Sequence, residues 1–249
     1  MTLIVAIGCT DGVILAADSA STDADTAIKQ PTMKLRQIDG QPVLFGGSGD
    51  VGLIQKVTSS LARVTVTGKS LDLLRKDLQR AVARELREAV QNHIPQQIQG
   101  YHQPPQAIFM FAGVYRAAPW ILEVAIDGRD TMYNEAHGYF NAIGSGKPLA
   151  QAIFRPHLAT ERDIRKGKVA AYRIVDDAID MAAGGLSRPI YISAMALDGK
   201  ISQVSPEEMS GIADTCEIWR SIEREALGQA LSPQVIDSVS ARIPLPDSE

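Results

Sequence analysis

Short apolar runs separated by turn residues characterise the first fifty positions of the chain. The predicted strands of this segment are residues 3–9, 13–18, 33–38 and 43–45. The pairs Asp11-Gly12 and Asp39-Gly40 lie between successive runs, and such pairs favour two-stranded hairpins. The polar residues 19–31 separate the two hairpins and are expected to form a loop.

Apolar residues then recur every three or four positions, which predicts a long helix. Its apolar stripe consists of Leu71, Leu74, Leu78, Val82, Leu86 and Val90. Ser70 is expected to cap the N-terminus of this helix, and Pro95 is expected to lie beyond its end. Further helices are predicted over residues 50–64, 148–158 and 166–183, and from residue 206 onward.

The remaining apolar runs predict a second group of strands. These strands are residues 107–115, 120–126, 139–143, 190–197 and 200–204. Strands and helix pairs therefore alternate along the chain, and hairpins predominate over single crossovers, which favours antiparallel sheets. The predicted fold is α+β: a four-layer α-β-β-α sandwich of two antiparallel sheets between helix pairs. Residues 1–205 are expected to form this domain, and residues 206–249 a helical extension that packs on it or at a subunit interface.

Composition narrows the class of protein. The 249 residues are 45% hydrophobic and 22% charged, which fits one large globular domain, and the net charge of -4 comes without a basic cluster. We therefore expect neither a nucleic-acid nor a membrane partner. Two cysteines imply no disulfide framework, the N-terminus lacks a secretory signal, and the four histidines have no metal-ligand spacing. The prediction is a soluble cytosolic protein without a metal or cofactor.

Thr2 is the first candidate for chemistry, because it follows Met1 and opens an apolar strand. Removal of the methionine would leave a threonine that carries a hydroxyl and a free α-amine on adjacent carbons, a nucleophile and a base in one residue. An α-amine titrates near about 7.7–8.0, which suits proton transfer at neutral pH. The alternative is an ordinary processed terminus with no chemical role.

Asp18 reaches this threonine only in one of two hairpin registers. A two-residue turn would place Asp18 opposite Val5, on the face away from Thr2. A three-residue loop with a left-handed Gly12 would place it opposite Ile4, diagonal to Thr2 at roughly 7–8 Å. Alternatively, Asp18 only ends a strand.

Lys34 is the candidate that bridges this gap, because it lies between Met33 and Leu35 in an apolar strand. Burial would lower the pKa of the lysine, and an Asp18 carboxylate would keep it charged beside the threonine hydroxyl. The alternative is that Lys34 and Arg36 form the solvated face of an edge strand.

A glycine-rich junction provides a third candidate. Residues 46–50 join a predicted strand to a predicted helix with few side chains, which suits binding of an oxyanion or a phosphate by backbone N–H groups. Residues 47–52 also match the G-x-G-x-x-G dinucleotide pattern. The acidic residue expected about 20 positions later would be Asp72, at the start of a helix rather than at the end of a second parallel strand.

Together these segments resemble proteasome β-type subunits and the HslV-like bacterial homologues, which are N-terminal nucleophile hydrolases. The matching segments are residues 2–7, 11–19, 34–39, 45–50, 142–146 and 178–182. The resemblance implies the N-terminal nucleophile hydrolase fold and a threonine-type endopeptidase. It also implies peptide or unfolded-protein substrates, a homo-oligomeric ring of six or seven subunits that can stack, and a separate ATPase unfoldase.

The resemblance also implies roles for individual residues. Thr2 would be the nucleophile, Lys34 paired with Asp18 would favour its alkoxide, and the Gly46 amide would stabilise the oxyanion. Ser145 and Asp180 would orient the threonine amine. The implied substrate pocket consists of Ser21, Thr32, Leu44, Gly47 and Ser48.

Two features depart from the family pattern. Ala183 occupies the position at which many β subunits carry a second serine, and no propeptide precedes Thr2, so that activation would require removal of Met1. Two alternatives therefore remain beside the peptidase: a masked or inactive structural ring subunit, and an amidase of the same superfamily that acts on a small amide.

Overall fold

A computed structural model describes residues 2–22, 29–65, 69–97, 106–125, 127–155, 161–182 and 185–232 of the chain. The chain divides into two units, residues 1–205 and residues 206–249. The strands are β1 (Ile4–Cys9), β2 (Gly12–Ala17), β3 (Ala20–Thr22), β4 (Lys29–Pro31), β5 (Leu35–Gln37), β6 (Val43–Gly49), β7 (Ala107–Tyr115), β8 (Ala118–Val124), β9 (Asp130–Tyr133), β10 (Phe140–Ile143), β11 (Tyr191–Ala196) and β12 (Ile201–Gln203). The helices are α1 (Val51–Leu61), α2 (Leu71–Gln97), α3 (Lys147–Phe154), α4 (Ile164–Met181) and α5 (Pro206–Ala230), with a short 3-10 helix at Glu135–His137.

Two antiparallel five-stranded sheets form the centre of the first unit, as the described residues show it. One sheet has the strand order β10-β1-β2-β11-β12, and the other has the order β5-β6-β7-β8-β9. The short strands β3 and β4 pair separately. Neighbours along the chain mostly pair directly, which confirms the hairpin-rich antiparallel arrangement expected from the sequence.

Helices α1 and α2 cover one face of the β5–β9 sheet. Apolar side chains from both helices pack against the outward-facing residues of β6, β7 and β8 in one core. On α2 these residues include Leu74, Leu78, Val82 and Leu86, which recur every four positions and so lie on one face of the helix. The predicted stripe is therefore the buried face of α2 as far as Leu86, whereas Val90 at its end is exposed.

A second core lies between the two sheets. Ile4, Leu15 and Ile143 from one sheet pack there with Leu44 and Met110 from the other. Helices α3 and α4 contact the sheet that contains β1 and β2, on the face that points away from this second core. The first unit is thus a four-layer α-β-β-α sandwich, and the predicted fold class is confirmed.

The register of the first hairpin differs from both predicted registers. Cys9 pairs with Gly12 and Ile4 pairs with Ala17, so that Thr10 and Asp11 form the loop. Gly12 is the first residue of β2 rather than a left-handed bulge residue. A Cβ atom at Gly12 would lie 2.1 Å from the carbonyl oxygen of Met195 on β11, so the glycine is required by close packing of the neighbouring strand.

Five further elements differ from the sequence prediction. Part of the predicted 19–31 loop forms β3 and β4, and β9 was not predicted. Strand β6 continues through the glycines to Gly49 because it pairs with β7 along that whole stretch. Helix α2 passes Pro95 and ends two residues later, at Gln97. The hydrogen bond to the preceding turn that a proline cannot donate is therefore lost only near the end of the helix.

The second unit contains helix α5. Ile218, Ile222 and Leu227 of this helix are exposed, and so is Leu231 directly after it. Among the described residues, no helix of either unit is long and apolar enough to cross a membrane.

Candidate active site

Asp18 is fully buried directly after β2, and backbone groups fix its carboxylate. Its Oδ1 accepts a hydrogen bond from Leu3 N at 2.8 Å, and its Oδ2 accepts one from Ala20 N at 2.9 Å. The backbone pairing with β1 continues at this residue, since Asp18 N donates to Leu3 O at 3.2 Å. The carboxylate turns back toward the start of β1, and this contact replaces the diagonal geometry expected from the sequence.

Lys34 joins this carboxylate to Thr2. Its Nζ donates to Asp18 Oδ1 at 2.6 Å and to Thr2 Oγ1 at 3.3 Å. The lysine side chain is only 7% exposed, and Leu35 beside it is buried in the core between the sheets. The structure therefore brings together the three residues that the sequence analysis proposed, with Lys34 between the other two.

Two features of the environment of Lys34 shift its pKa in opposite directions. Burial lowers the pKa of the lysine below its ordinary value of 10.5, and the charge and hydrogen bond of Asp18 oppose this decrease. The first effect is the larger. An ammonium group within hydrogen-bonding distance of a hydroxyl favours the alkoxide form of that hydroxyl, because the two charges attract.

The loop between β10 and α3 contacts the backbone of Thr2 on both sides. Ser145 Oγ accepts a hydrogen bond from Thr2 N at 3.1 Å, and Gly146 N donates to Thr2 O at 3.2 Å. Gly144 has a φ of +92°, and a Cβ atom there would lie 2.1 Å from Thr2 O. Only glycine allows this loop to approach Thr2 so closely.

Gly46 lies in β6 opposite Leu35, where the pairing of β5 with β6 ends. A Cβ atom at Gly46 would lie 2.8 Å from Ile4 Cδ1 and 3.2 Å from Lys34 O. The glycine therefore allows the backbone of β6 to approach the elements that carry Thr2 and Lys34. The adjoining residues are strand rather than the N-terminal junction of a helix, which differs from the sequence expectation.

Asp180, which was expected to orient the threonine amine, forms an ion pair with Arg188. Its carboxylate accepts a hydrogen bond from Arg188 Nη2 at 3.0 Å, and its side chain is 59% exposed. The same guanidinium binds the buried Asp176 through two nitrogens, at 2.9 and 2.5 Å. The structure thus pairs Asp180 with Arg188, whereas Thr2 N is bonded to Ser145.

The residues expected to line a substrate pocket have diverse surroundings. Thr32 is exposed, and Ser21 lies in β3, where only its backbone is described. Leu44 is buried between the sheets, which makes it a core residue rather than an open pocket wall. Gly47 packs closely on Phe109, and Ser48 is half-buried beside the Gly144 loop. Met1 and Ala183 lie outside the described residues.

Other candidate chemistry does not converge on this site. Burial raises the pKa of the Cys9 thiol to about 12, with a further contribution from Asp11, which makes it a core residue rather than a nucleophile. A cavity of about 490 Å³ and another of about 370 Å³ lie along α2, and Thr2 lines neither. Within the described part of the chain, no group of three or more histidine, cysteine or carboxylate side chains could bind a metal ion.

Two features of the site were not predicted from the sequence. One is the use of Asp18 as an acceptor for the backbone of Leu3 and Ala20; an aspartate at the end of a strand is the only local signal for it. The other is the pairing of Arg188 with Asp176 and Asp180, which joins residues on α4 to a residue in the following connection and has no sequence pattern of its own.

The chain is similar to known proteins over most of its length. The profile of the family described as "Proteasome subunit" matches residues 2–188. Among solved structures, a mutant of Anbu from Hyphomicrobium sp. strain MC1 is similar to the chain, with a TM-score of 0.69 and 18% sequence identity. The similarity covers 93% of this chain and 100% of that chain, and at this identity it supports the fold. No curated protein matches the sequence. The chain belongs to the proteasome subunit family.

Proposed function

We propose that the chain is a threonine-type endopeptidase subunit of a bacterial proteasome-like ring, with Thr2 as its nucleophile once Met1 has been removed. The observation that carries the proposal is the position of Lys34 Nζ, 2.6 Å from Asp18 Oδ1 and 3.3 Å from Thr2 Oγ1. A buried cation between a fixed carboxylate and a hydroxyl is an arrangement that activates a nucleophile.

In the proposed reaction, Thr2 Oγ1 attacks the carbonyl carbon of a peptide bond. The α-amine of Thr2 accepts the hydroxyl proton through a water molecule, and the Lys34 ammonium stabilises the developing alkoxide. The amide of Gly46 stabilises the oxyanion of the tetrahedral intermediate. The carbon–nitrogen bond then breaks, the leaving amine takes the proton, and water hydrolyses the acyl-threonine ester in a second step.

Removal of Met1 is essential to this mechanism. While a methionine is attached, the nitrogen of Thr2 is an amide, which cannot accept a proton at neutral pH. After removal, Ser145 Oγ is placed to orient the new amine, because it already accepts a hydrogen bond from that nitrogen at 3.1 Å. The proposal therefore requires a processed N-terminus.

The proposed substrates are peptides and unfolded protein chains. Gly47 and Ser48 lie on the stretch of β6 that extends beyond its pairing with β5, and this stretch is a suitable edge for an extended peptide. Together with the exposed Thr32 it offers small side chains to the residue that precedes the cleaved bond, and Ser21 remains a proposed member of this pocket by resemblance alone. A ring of six or seven copies, a separate ATPase unfoldase and a cytoplasmic location complete the proposal.

Intact-mass spectrometry of the native protein tests the nucleophile. We expect a mass without Met1, and one adduct with a peptide epoxyketone, a reagent that requires a hydroxyl and an amine on adjacent carbons. The adduct should be absent from Thr2→Ala. It should still form in Thr10→Ala, because Thr10 follows the far end of β1 and its hydroxyl is remote from Thr2. A native protein that retains Met1 and forms no adduct would contradict the proposal.

An inactive ring subunit is the second candidate, and the position of Asp180 favours it. A peptidase of this kind is expected to use Asp180 near the threonine amine, yet this carboxylate is bonded to Arg188. If Arg188→Gln gains epoxyketone reactivity that the unaltered protein lacks, the ion pair restrains the site. If the unaltered protein reacts fully, the inactive candidate is wrong.

A further inference from the structure

A polar cluster interrupts the apolar layer between the two sheets. It consists of Glu123, Tyr133, Asn141 and Lys147, and we call it the Glu123 cluster. Glu123 Oε2 accepts hydrogen bonds from Asn141 Nδ2 at 2.5 Å, from Lys147 Nζ at 3.2 Å and from Tyr133 Oη at 3.2 Å. Three donors from separate elements thus converge on one carboxylate oxygen.

The cluster connects both sheets to the start of α3. Glu123 belongs to β8 in one sheet, Asn141 belongs to β10 in the other, and Lys147 is the first residue of α3. Asn141 lies before the loop that contains Ser145, and Lys147 lies directly after it. One carboxylate therefore binds the two stems of this loop.

The Ser145 loop is also the part of the protein that contacts the backbone of Thr2. Ser145 Oγ accepts from Thr2 N, and Gly146 N donates to Thr2 O. A displacement of the loop would move both contacts at once. Because a displacement of about 1 Å in a catalytic constellation can reduce the rate by roughly 10²-fold, the anchor of this loop has a direct bearing on the reaction.

Burial makes the interaction specific. The side chain of Glu123 is 12% exposed, and Asn141 is 1% exposed. Burial, followed by the charge and hydrogen bond of Glu123, raises the pKa of Tyr133 to about 12, so that this phenol remains a donor throughout the physiological range. Replacement of the carboxylate by an amide would keep one acceptor oxygen, but it would remove the charge that pairs with Lys147 and place an NH2 donor among the three donors of the cluster. Such a mismatch is costly in a buried environment.

We infer that Glu123 is a positioning residue for the proposed reaction: it fixes the Ser145 loop through Asn141 and Lys147 and thereby orients the Thr2 amine. This inference rests on the proposed function at Thr2. It assigns Glu123 no contact with substrate, since its effect passes through the loop.

The test compares Glu123→Gln with Glu85→Gln. Glu85 is a matched control because its side chain is also 12% exposed and is bonded to a hydroxyl, that of Ser60, and to a cation, Arg84. It lies in α2 on the outer face of the other sheet. Any general loss of stability from replacing a largely buried glutamate therefore appears in both variants.

Hydrogen exchange of the peptide that spans residues 140–150 gives a readout that needs no activity. We expect faster exchange of the Gly146 and Lys147 amides in Glu123→Gln, and exchange as in the unaltered protein in Glu85→Gln. Equal exchange in all three proteins would overturn the inference. If the unaltered protein proves inactive, the proposed function fails, while this measurement still decides whether Glu123 anchors the loop.

Peptide hydrolysis supplies the second readout. In Glu123→Gln we expect kcat to fall roughly tenfold to a hundredfold with KM nearly unchanged, and the acid limb of the pH profile to shift, because Ser145 no longer orients the amine. When Lys147→Met is added to Glu123→Gln, kcat should fall by less than the product of the two separate fold-changes, because both substitutions act on one loop. Faster exchange with unaltered kinetics would show a purely structural role and overturn the positioning role.

Discussion

At the scale of single residues, the ammonium of Lys34 is both buried and in direct contact with the hydroxyl of the proposed nucleophile. It is buried in the first unit and bonded to Asp18 and Thr2. A buried ion pair of this kind contributes little net stability, because desolvation offsets the attraction, but removal of one partner leaves an uncompensated charge. Lys34 is therefore better explained by chemistry than by stability.

Replacement of Lys34 by alanine should affect both properties. We expect kcat/KM to fall about 10²- to 10⁴-fold, because the alkoxide loses its cation, and the free energy of unfolding to fall by about 3–5 kcal/mol, because Asp18 is left buried alone. Fluorogenic peptide hydrolysis and urea unfolding measure the two effects. Lys56→Ala, at an exposed position of α1, is the control. Full activity in Lys34→Ala would contradict the proposed role.

The lowered pKa of Lys34 predicts an alkaline limit to activity. As pH rises through the folded-state pKa, below 10.5, the ammonium loses its proton and kcat/KM should fall. Stability changes in the opposite direction. Between that pKa and 10.5 the lysine of the unfolded chain binds more protons than that of the folded chain, so the contribution of Lys34 to the free energy of unfolding rises with pH. The loss of activity is thus separable from unfolding.

The pH profile of Lys34→Arg checks this assignment. A guanidinium remains charged above pH 12, so any residual activity should lack the alkaline limb. Steady-state rates between about pH 6 and 11 measure the limb, and circular dichroism at each pH monitors the fold. An identical alkaline limb in both proteins would assign it to a group other than Lys34.

Among the elements, the loop from β10 to α3 has the least freedom to change. Gly144 combines a left-handed backbone with a direct approach to Thr2 O. The loop is also bonded at both stems to the Glu123 cluster. The loop is therefore held by two sets of contacts, those with Glu123 between the sheets and those with the backbone of Thr2.

Gly144→Ala tests this element against Gly40→Ala. Both glycines have a positive φ, of +92° and +65°, but a Cβ atom at Gly40 has open space. Gly40→Ala should cost about 1–2 kcal/mol of stability through backbone strain alone, with activity retained. Gly144→Ala should cost more and also reduce peptide hydrolysis more than tenfold, because the loop must move off Thr2. Equal effects of the two substitutions would contradict a special role for the close approach.

At the scale of the whole molecule, helix α5 provides the clearest candidate for assembly. Ile218 and Ile222 lie one turn apart and are 62% and 60% exposed. Exposed apolar side chains that share a helix face are typical of protein contact sites. Of the two roles expected for residues 206–249, packing on the domain and contact between subunits, this exposure favours the second.

The double substitution Ile218→Ser and Ile222→Ser should reduce the assembled mass. Light scattering after size-exclusion chromatography measures that mass directly. Leu73→Ser combined with Val90→Ser, which removes exposed apolar residues from α2, is the control. An unchanged mass in the α5 variant would show that these two residues do not support the ring, whatever its size.

The sequence predicted the sandwich and most of the local site, because these depend on nearby residues. Short apolar runs located most of the strands, and Thr2, Asp18 and Lys34 lie within the first 34 residues. The hairpin register was predicted incorrectly because it depends on the approach of Met195 to Gly12, almost two hundred positions away. The pairing of Asp180 with Arg188 was not predicted either, because no local pattern encodes this tertiary contact.

The burial of Cys9 has a practical consequence for measurements on this protein. Both cysteines are buried, and the Cys9 thiol has a pKa of about 12, so almost none of it is thiolate at neutral pH. A maleimide dye should therefore label the native chain very slowly and the unfolded chain rapidly. Dye uptake would report opening of the fold in the same sample in which an epoxyketone reports the hydroxyl of Thr2, so that a loss of labelling at Thr2 can be separated from a loss of structure.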